Sequence, residues 1–131
     1  MASVTKELKI AAAPDHVWAA LHDFQAVHKR VAPGFVTDSK PDGDARIVTF
    51  ANGTSARELL IDRDDKARRL VYAVVGHERL KHHSASVQVF AEGNGHSRLV
   101  WTADFLPDEI RPYIDGQMSE AAPIMTKALA K

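Results

Sequence analysis

The stretch Arg46-Ile47-Val48-Thr49-Phe50-Ala51-Asn52-Gly53-Thr54-Ser55-Ala56-Arg57-Glu58-Leu59-Leu60-Ile61 reads as two alternating runs folded back about Asn-Gly. Asn-Gly between such runs is the strongest short-range hairpin signal, because both residues accept the positive φ of a two-residue turn. A two-residue loop pairs Ala51 with Thr54, Thr49 with Ala56 and Ile47 with Glu58. Directly paired residues share a face, so Ile47, Thr49, Ala51, Ala56, Glu58 and Leu60 are expected on one surface. Arg46, Val48, Phe50, Arg57, Leu59 and Ile61 are expected on the other. The two arginines assign that second surface to solvent. Glu58 then points inward among apolar neighbours, where a carboxylate must be hydrated, paired with a cation, or protonated. Val48, Phe50, Leu59 and Ile61 would form an unusually apolar outer patch, for which a homodimer contact is one expectation and scattered surface apolars the other.

Outward from the hairpin, period-two patterning extends over strands expected near 35–40, 45–51, 54–62, 69–75, 80–91 and 97–105. Turns are marked by Asp42-Gly43, Asp64-Asp65-Lys66 and Gly93-Asn94-Gly95. Upstream, Val4, Lys6, Leu8 and Ile10 share one parity of a first strand. Pro14, Asp15, Val17, Trp18 and Leu21 then read as a short helix with proline and an acid in its first turn. A second short helical piece is expected near Phe24–Arg30. Downstream, Ile110, Ile114, Met118, Ala121, Ala122, Met125 and Leu129 recur every three or four residues, so Pro107–Lys131 is expected to be one long helix. Pro123 falls inside it and is expected to bend the axis.

Composition narrows the function. A chain of 131 residues is one domain's worth, here spanning 1–131, with 45% hydrophobic residues to build a core. Lys+Arg and Asp+Glu number 17 each, so no net field favours nucleic acid as a partner. The chain has no cysteine, which excludes disulfides, thiol nucleophiles and thiolate metal sites. No apolar run is long enough for a membrane span, and a cytoplasmic location is expected. The adjacent His82 and His83 point to opposite faces of a strand, and no metal-ligand motif occurs, so no metal or other cofactor is expected. No GxSxG elbow, P-loop or GxGxxG is present either.

The order strand, two short helices, strand meander, long helix defines an α+β chain that resembles the START-like (SRPBCC) superfamily of polyketide cyclases, dehydratases and lipid-transport proteins. The resemblance spans the chain and is carried by Ala12-Ala13-Pro14-Asp15-His16-Val17-Trp18, Phe50-Ala51-Asn52-Gly53, Glu58-Leu59-Leu60, Arg69-Leu70-Val71-Tyr72 and Val100-Trp101. It implies a helix-grip fold, a curved antiparallel sheet of about seven strands wrapped around the C-terminal helix. The stretch Val74-Val75-Gly76-His77-Glu78-Arg79-Leu80-Lys81-His82-His83-Ser84 is similar to the latch region of the plant abscisic acid receptors and their bacterial relatives. That likeness implies a gate at Asn52-Gly53, an inward Glu58, a pocket-lining Tyr72, and pocket positions at His83 and Ala85. The proline-containing gate sequence is missing, and abscisic acid is not expected as the ligand.

Face parity and the resemblance together nominate a cavity lined by Ile47, Thr49, Glu58, Leu60, Tyr72, His83, Ala85, Trp101, Met118 and Met125, with Ala122 also on the helical wall. The expected function is binding of a small, mostly apolar molecule such as a lipid, polyketide or hormone-like compound, its polar end met by Glu58, Tyr72 and His83. One alternative is a cyclase or dehydratase in which those three residues supply acid, base and oxyanion stabilisation. A dimeric interaction protein is the other.

Overall fold

The computed structural model describes residues 1–131. Strand β1 (Ala2–Ile10) is followed by α1 (Pro14–His22), a 3-10 turn (Phe24–Ala26) and α2 (Val27–Arg30). A meander then runs through β2 (Val36–Asp42), β3 (Ala45–Phe50), β4 (Ser55–Asp64), β5 (Arg69–Val75), β6 (His82–Gly93) and β7 (His96–Leu106). A second 3-10 turn (Asp108–Ile110) leads into α3 (Arg111–Leu129). The strands form one antiparallel sheet in the order β1-β7-β6-β5-β4-β3-β2. This is the helix-grip architecture. Register shifts at Val36/Asp38, Leu60/Asp62 and Ala91/Gly93 supply the local bends that let such a sheet curl, because a bulged residue has no partner across the ladder.

The α3 helix buries Met118, Ala121, Met125 and Leu129 against the inner residues Val4, Leu8, Leu99, Ala103 and Phe105 of β1 and β7. That seven-residue spacing of 118, 121, 125 is the helical stripe that one face of a sheet can cover. Lys6 lies on the same inner parity of β1 and ion-pairs with Asp115 of α3. The helix runs unbroken through Pro123, with Pro112 in its first turn. No helix is long and apolar enough to cross a membrane.

The β3–β4 register differs from the expected one by a single residue. Arg46 pairs with Glu58, Ile47 with Arg57, Val48 with Ala56 and Thr49 with Ser55. The cause is a three-residue loop. The Phe50 N–H donates to the Thr54 carbonyl at 2.8 Å and the Gly53 N–H to the Phe50 carbonyl at 2.9 Å. Only Gly53 takes a positive φ, +89°, while Asn52 does not, so Asn-Gly here forms the tail of a longer loop rather than a two-residue turn. The Asn52 side chain instead accepts from the Thr54 N–H at 3.0 Å. The two-residue turn occurs at Asn94-Gly95, where both residues have positive φ and Gly93 pairs with His96.

A one-residue slip turns one strand of the pair over. Arg46, Val48 and Phe50 therefore face inward beside Ala56, Glu58 and Leu60. Ile47 and Thr49, expected inside, face outward, with Ile47 39% exposed against 1% for Val48. Burying Val48 and Phe50 removes two large apolar side chains from water and gives the inward Glu58 a cation, whereas the other register strands both gains. The apolar patch expected outside loses Val48 and Phe50 for the same reason, and with them the dimer face drawn through Phe50. Ile47, Leu59 and the 53%-exposed Ile61 remain on that side.

The register is directly testable by charge insertion. Val48→Asp should destabilise the fold by at least about 2 kcal/mol, as expected for an unpaired polar group buried in a core. Ile47→Asp should stay within about 0.5 kcal/mol of the parent. Urea unfolding of both variants distinguishes this order from the reverse, which a two-residue loop requires.

Candidate functional site

Between the inner face of the sheet and α3 lies a cavity of about 710 Å³, within the range of small-molecule sites. Of its 33 lining residues 22 are hydrophobic, so most of the wall can offer a ligand only apolar burial. Leu21, Val27 and Val31 line it from the short helices, and Met118, Ala121 and Met125 from α3. The exposed Thr54 and Ser55 at the start of β4, Glu78 and Arg79 of the β5–β6 loop, and Tyr113 of α3 rim it. The β5–β6 loop is tied down by the Lys81 N–H donating to the Leu106 carbonyl at 3.0 Å, and the Arg79 guanidinium lies 5.9 Å from the Tyr113 ring centroid.

The polar part of the wall is concentrated on β3 to β7. Arg46 and Glu58 face each other across the β3–β4 ladder and are 5% and 8% exposed. Both Nε and Nη2 of Arg46 reach Glu58 Oε1 at 2.8 Å, and Nη1 donates to the Phe24 carbonyl at 2.7 Å. The guanidinium carbon lies 3.8 Å from the Phe24 ring centroid and 5.3 Å from that of Tyr72. Planar stacking and forked hydrogen bonding are what distinguish arginine from lysine in such a place. Since both contacts fall on Oε1, Glu58 Oε2 has no donor from the protein.

Tyr72 and His83 stand next to this pair. Trp101 Nε1 donates to the Tyr72 hydroxyl at 3.1 Å, which accounts for the inward indole on β7. Burial, reinforced by the negative charge of Glu58, pushes the Tyr72 phenol above its ordinary value of 10.0, so it stays protonated. The β5–β6 ladder ends at the Tyr72–Ala85 pair. Two residues beyond, the Val74 N–H donates to His83 Nδ1 at 3.2 Å, so a side chain replaces the missing backbone acceptor. Burial holds the imidazole pKa below its ordinary value of 6.5, against the opposing pull of Glu58. The Tyr72 and His83 ring centroids are 6.3 Å apart.

Of the residues nominated from sequence, the cavity brings together Glu58, Tyr72, His83, Ala85, Trp101, Met118 and Met125. Ile47 and Thr49 are outside it because of the register shift. Leu60 packs at the edge of the core, where it borders a separate polar crevice with Phe24, Gln25 and Arg63. On the helix Ala121 lines the cavity in place of Ala122. Arg46 and Phe50 line it although the sequence reading puts both outside. The signal for Arg46 is the inward acid itself, which needs a cation, and Arg46 is the residue opposite it once the loop has three residues. No group of three or more His, Asp or Glu side chains converges as a metal site would require.

Two consequences follow from these contacts. Arg46→Met strands a buried carboxylate and should cost about 3–5 kcal/mol, whereas adding Glu58→Leu should restore most of that loss, because removing both charges leaves neither unpaired. Urea denaturation of the single and double variants measures the difference. For His83, the unfolded chain takes up the proton first as pH falls, since its pKa stays near 6.5 while the folded value is lower. Stability should therefore decline as pH drops below about 6.5, and His83→Gln should flatten that slope relative to the parent in unfolding curves collected across this range.

No protein with a curated description matches this chain. Among solved structures, XoxI from Bacillus cereus is 21% identical with a TM-score of 0.86, covering 98% of this chain and 96% of that one. A START superfamily protein from Mycobacterium smegmatis is 11% identical with a TM-score of 0.73, covering 98% and 94%. Norcoclaurine synthase from Thalictrum flavum, in complex with dopamine and hydroxybenzaldehyde, is 16% identical with a TM-score of 0.75, covering 98% and 84%. These likenesses concern the fold. The family model described as polyketide cyclase/dehydrase and lipid transport matches residues 1–131, and the chain belongs to that family.

Proposed function

We propose that the protein binds a small, mostly apolar molecule inside the cavity, with Glu58, Tyr72 and His83 meeting its polar end. The observation that carries this reading is the cavity itself. It offers about 710 Å³ behind a largely hydrophobic wall, with its polar groups gathered on neighbouring strands. Apolar burial would provide most of the affinity, at roughly 25 cal/mol for each Å² removed from water, and the polar groups would orient the ligand. The family, which includes lipid transport in its description, supports ligand binding in general. Within the wall, Ala85, Trp101, Met118 and Met125 would contact the ligand's apolar body.

Turnover by an acid/base mechanism is the second reading, supported by the closeness of a carboxylate, a phenol and an imidazole in one cavity. Binding is favoured over it by the state of those groups. A general base needs a lone pair aimed at the substrate, and the Nδ1 lone pair of His83 is occupied by the Val74 N–H. On Glu58, Oε1 is taken by a hydrogen bond from Arg46 Nε and a close contact with Nη2, which leaves Oε2 as the one oxygen open to a substrate. What remains free is suited to holding a ligand.

Native mass spectrometry of the purified protein, followed by denaturing extraction, should recover an apolar small molecule held with it. If the protein emerges empty and also fails to enhance the fluorescence of apolar naphthalene dyes, the binding reading is wrong. The two readings separate on prolonged incubation with a small poly-β-ketone, which a carrier returns unchanged and an enzyme converts faster than the protein-free control.

A further inference from the structure

We propose that the polar wall of the cavity is built to receive a neutral hydrogen-bond acceptor, above all a carbonyl oxygen, from an otherwise apolar ligand; this deepens the binding function proposed above and rests on it. A backbone amide can only donate. The bond from Val74 N–H to His83 Nδ1 therefore requires that nitrogen to be bare, and a neutral imidazole then carries its single proton on Nε2. No protein group accepts from Nε2. The indole N–H of Trp101 can likewise only donate, so the Tyr72 oxygen is its acceptor and the phenolic proton is left without a partner. The two spare donors belong to rings 6.3 Å apart on adjacent strands, both lining the cavity.

Charge decides what kind of acceptor fits. Arg46 is matched by Glu58, and its Nη1 is taken by the Phe24 carbonyl. A ligand carboxylate seated against Tyr72 and His83 would shed its hydration without an unmatched cation there, since the unpaired Arg79 lies exposed at the rim beside Tyr113, and an ammonium would have to displace Arg46 from Glu58. A carbonyl oxygen sheds far less hydration and meets two donors already held in place by Val74 and Trp101. The lone Glu58 Oε2 nearby adds one acceptor, suited to a hydroxyl group on the same ligand.

The test uses three naphthalenes substituted at the same ring position: acetylnaphthalene, ethylnaphthalene and naphthoate, titrated calorimetrically into the full chain after removal of any co-purified molecule. Acetylnaphthalene should bind about tenfold more tightly than ethylnaphthalene, the gain expected of one to two net hydrogen bonds, and naphthoate should bind more weakly than acetylnaphthalene. Tyr72→Phe and His83→Phe, each checked for folding by circular dichroism, should bring the ratio of ketone to ethylnaphthalene affinity, measured within each variant, toward one. The carbonyl stretch of bound acetylnaphthalene should lie below its value in hexane and move back toward it in Tyr72→Phe. Equal affinities for the ketone and the hydrocarbon, or tightest binding of naphthoate, would overturn this proposal while leaving the binding function standing. If none of the three binds, the acceptor proposal falls, while the binding function stands or falls separately on whether an apolar molecule is extracted with the protein.

Discussion

The ion pair between Arg46 and Glu58 is the interaction on which the cavity's shape depends. Neither charge could be buried alone, since an unpaired ion in the core costs several kcal/mol. Together, with the Phe24 carbonyl taking a further hydrogen bond from Arg46, they sit at 5% and 8% exposure. Because Arg46 and Glu58 are directly opposite in the β3–β4 ladder, keeping them inside also keeps Val48 and Phe50 inside. The same guanidinium stacks on Phe24, which couples the short helical segment after α1 to the sheet. One charge pair thus fixes a strand register, a helix position and one wall of the cavity.

The second organising feature is a shortage of backbone partners. Strands β5 and β6 stop pairing after Tyr72 and Ala85, and the chain between them passes over the cavity's rim. An orphan amide at Val74 would be costly if buried, and His83 satisfies it with a side-chain nitrogen. That repair has a chemical consequence, because it selects the imidazole tautomer and leaves a donor rather than a base facing the cavity. Trp101 acts on Tyr72 in the same sense, occupying the oxygen's acceptor capacity. Structural satisfaction of two groups therefore sets the polarity that a ligand meets.

Much of the architecture is legible in particular residues. Alternation in Val4, Lys6, Leu8 and Ile10 matches the inner parity of β1, including Lys6, which reaches Asp115 of α3. The stripe of Met118, Ala121, Met125 and Leu129 is the buried face of α3. The inward side of Glu58, Tyr72, His83 and Trp101 is likewise readable, although for Glu58 the reasoning that put it inside relied on a hairpin register that does not occur. It faces inward with Arg46 rather than opposite to it. Ile47 and Thr49 show the cost of that register, since the parity of a strand is only as good as the turn that sets it.

What the sequence determined by itself is periodic: where strands and helices lie, which residues alternate, and which family the order of elements resembles, because these depend on neighbours within a few positions. Only the tertiary structure decided the loop length at Asn52-Gly53. The same dipeptide type makes a two-residue turn at Asn94-Gly95 and the end of a three-residue loop at Asn52-Gly53. Local turn preference differs little between such loops, whereas burying Val48 and Phe50 and pairing Arg46 with Glu58 involve energies of several kcal/mol. The larger, non-local interactions set the register, and with it which side chains a ligand can touch.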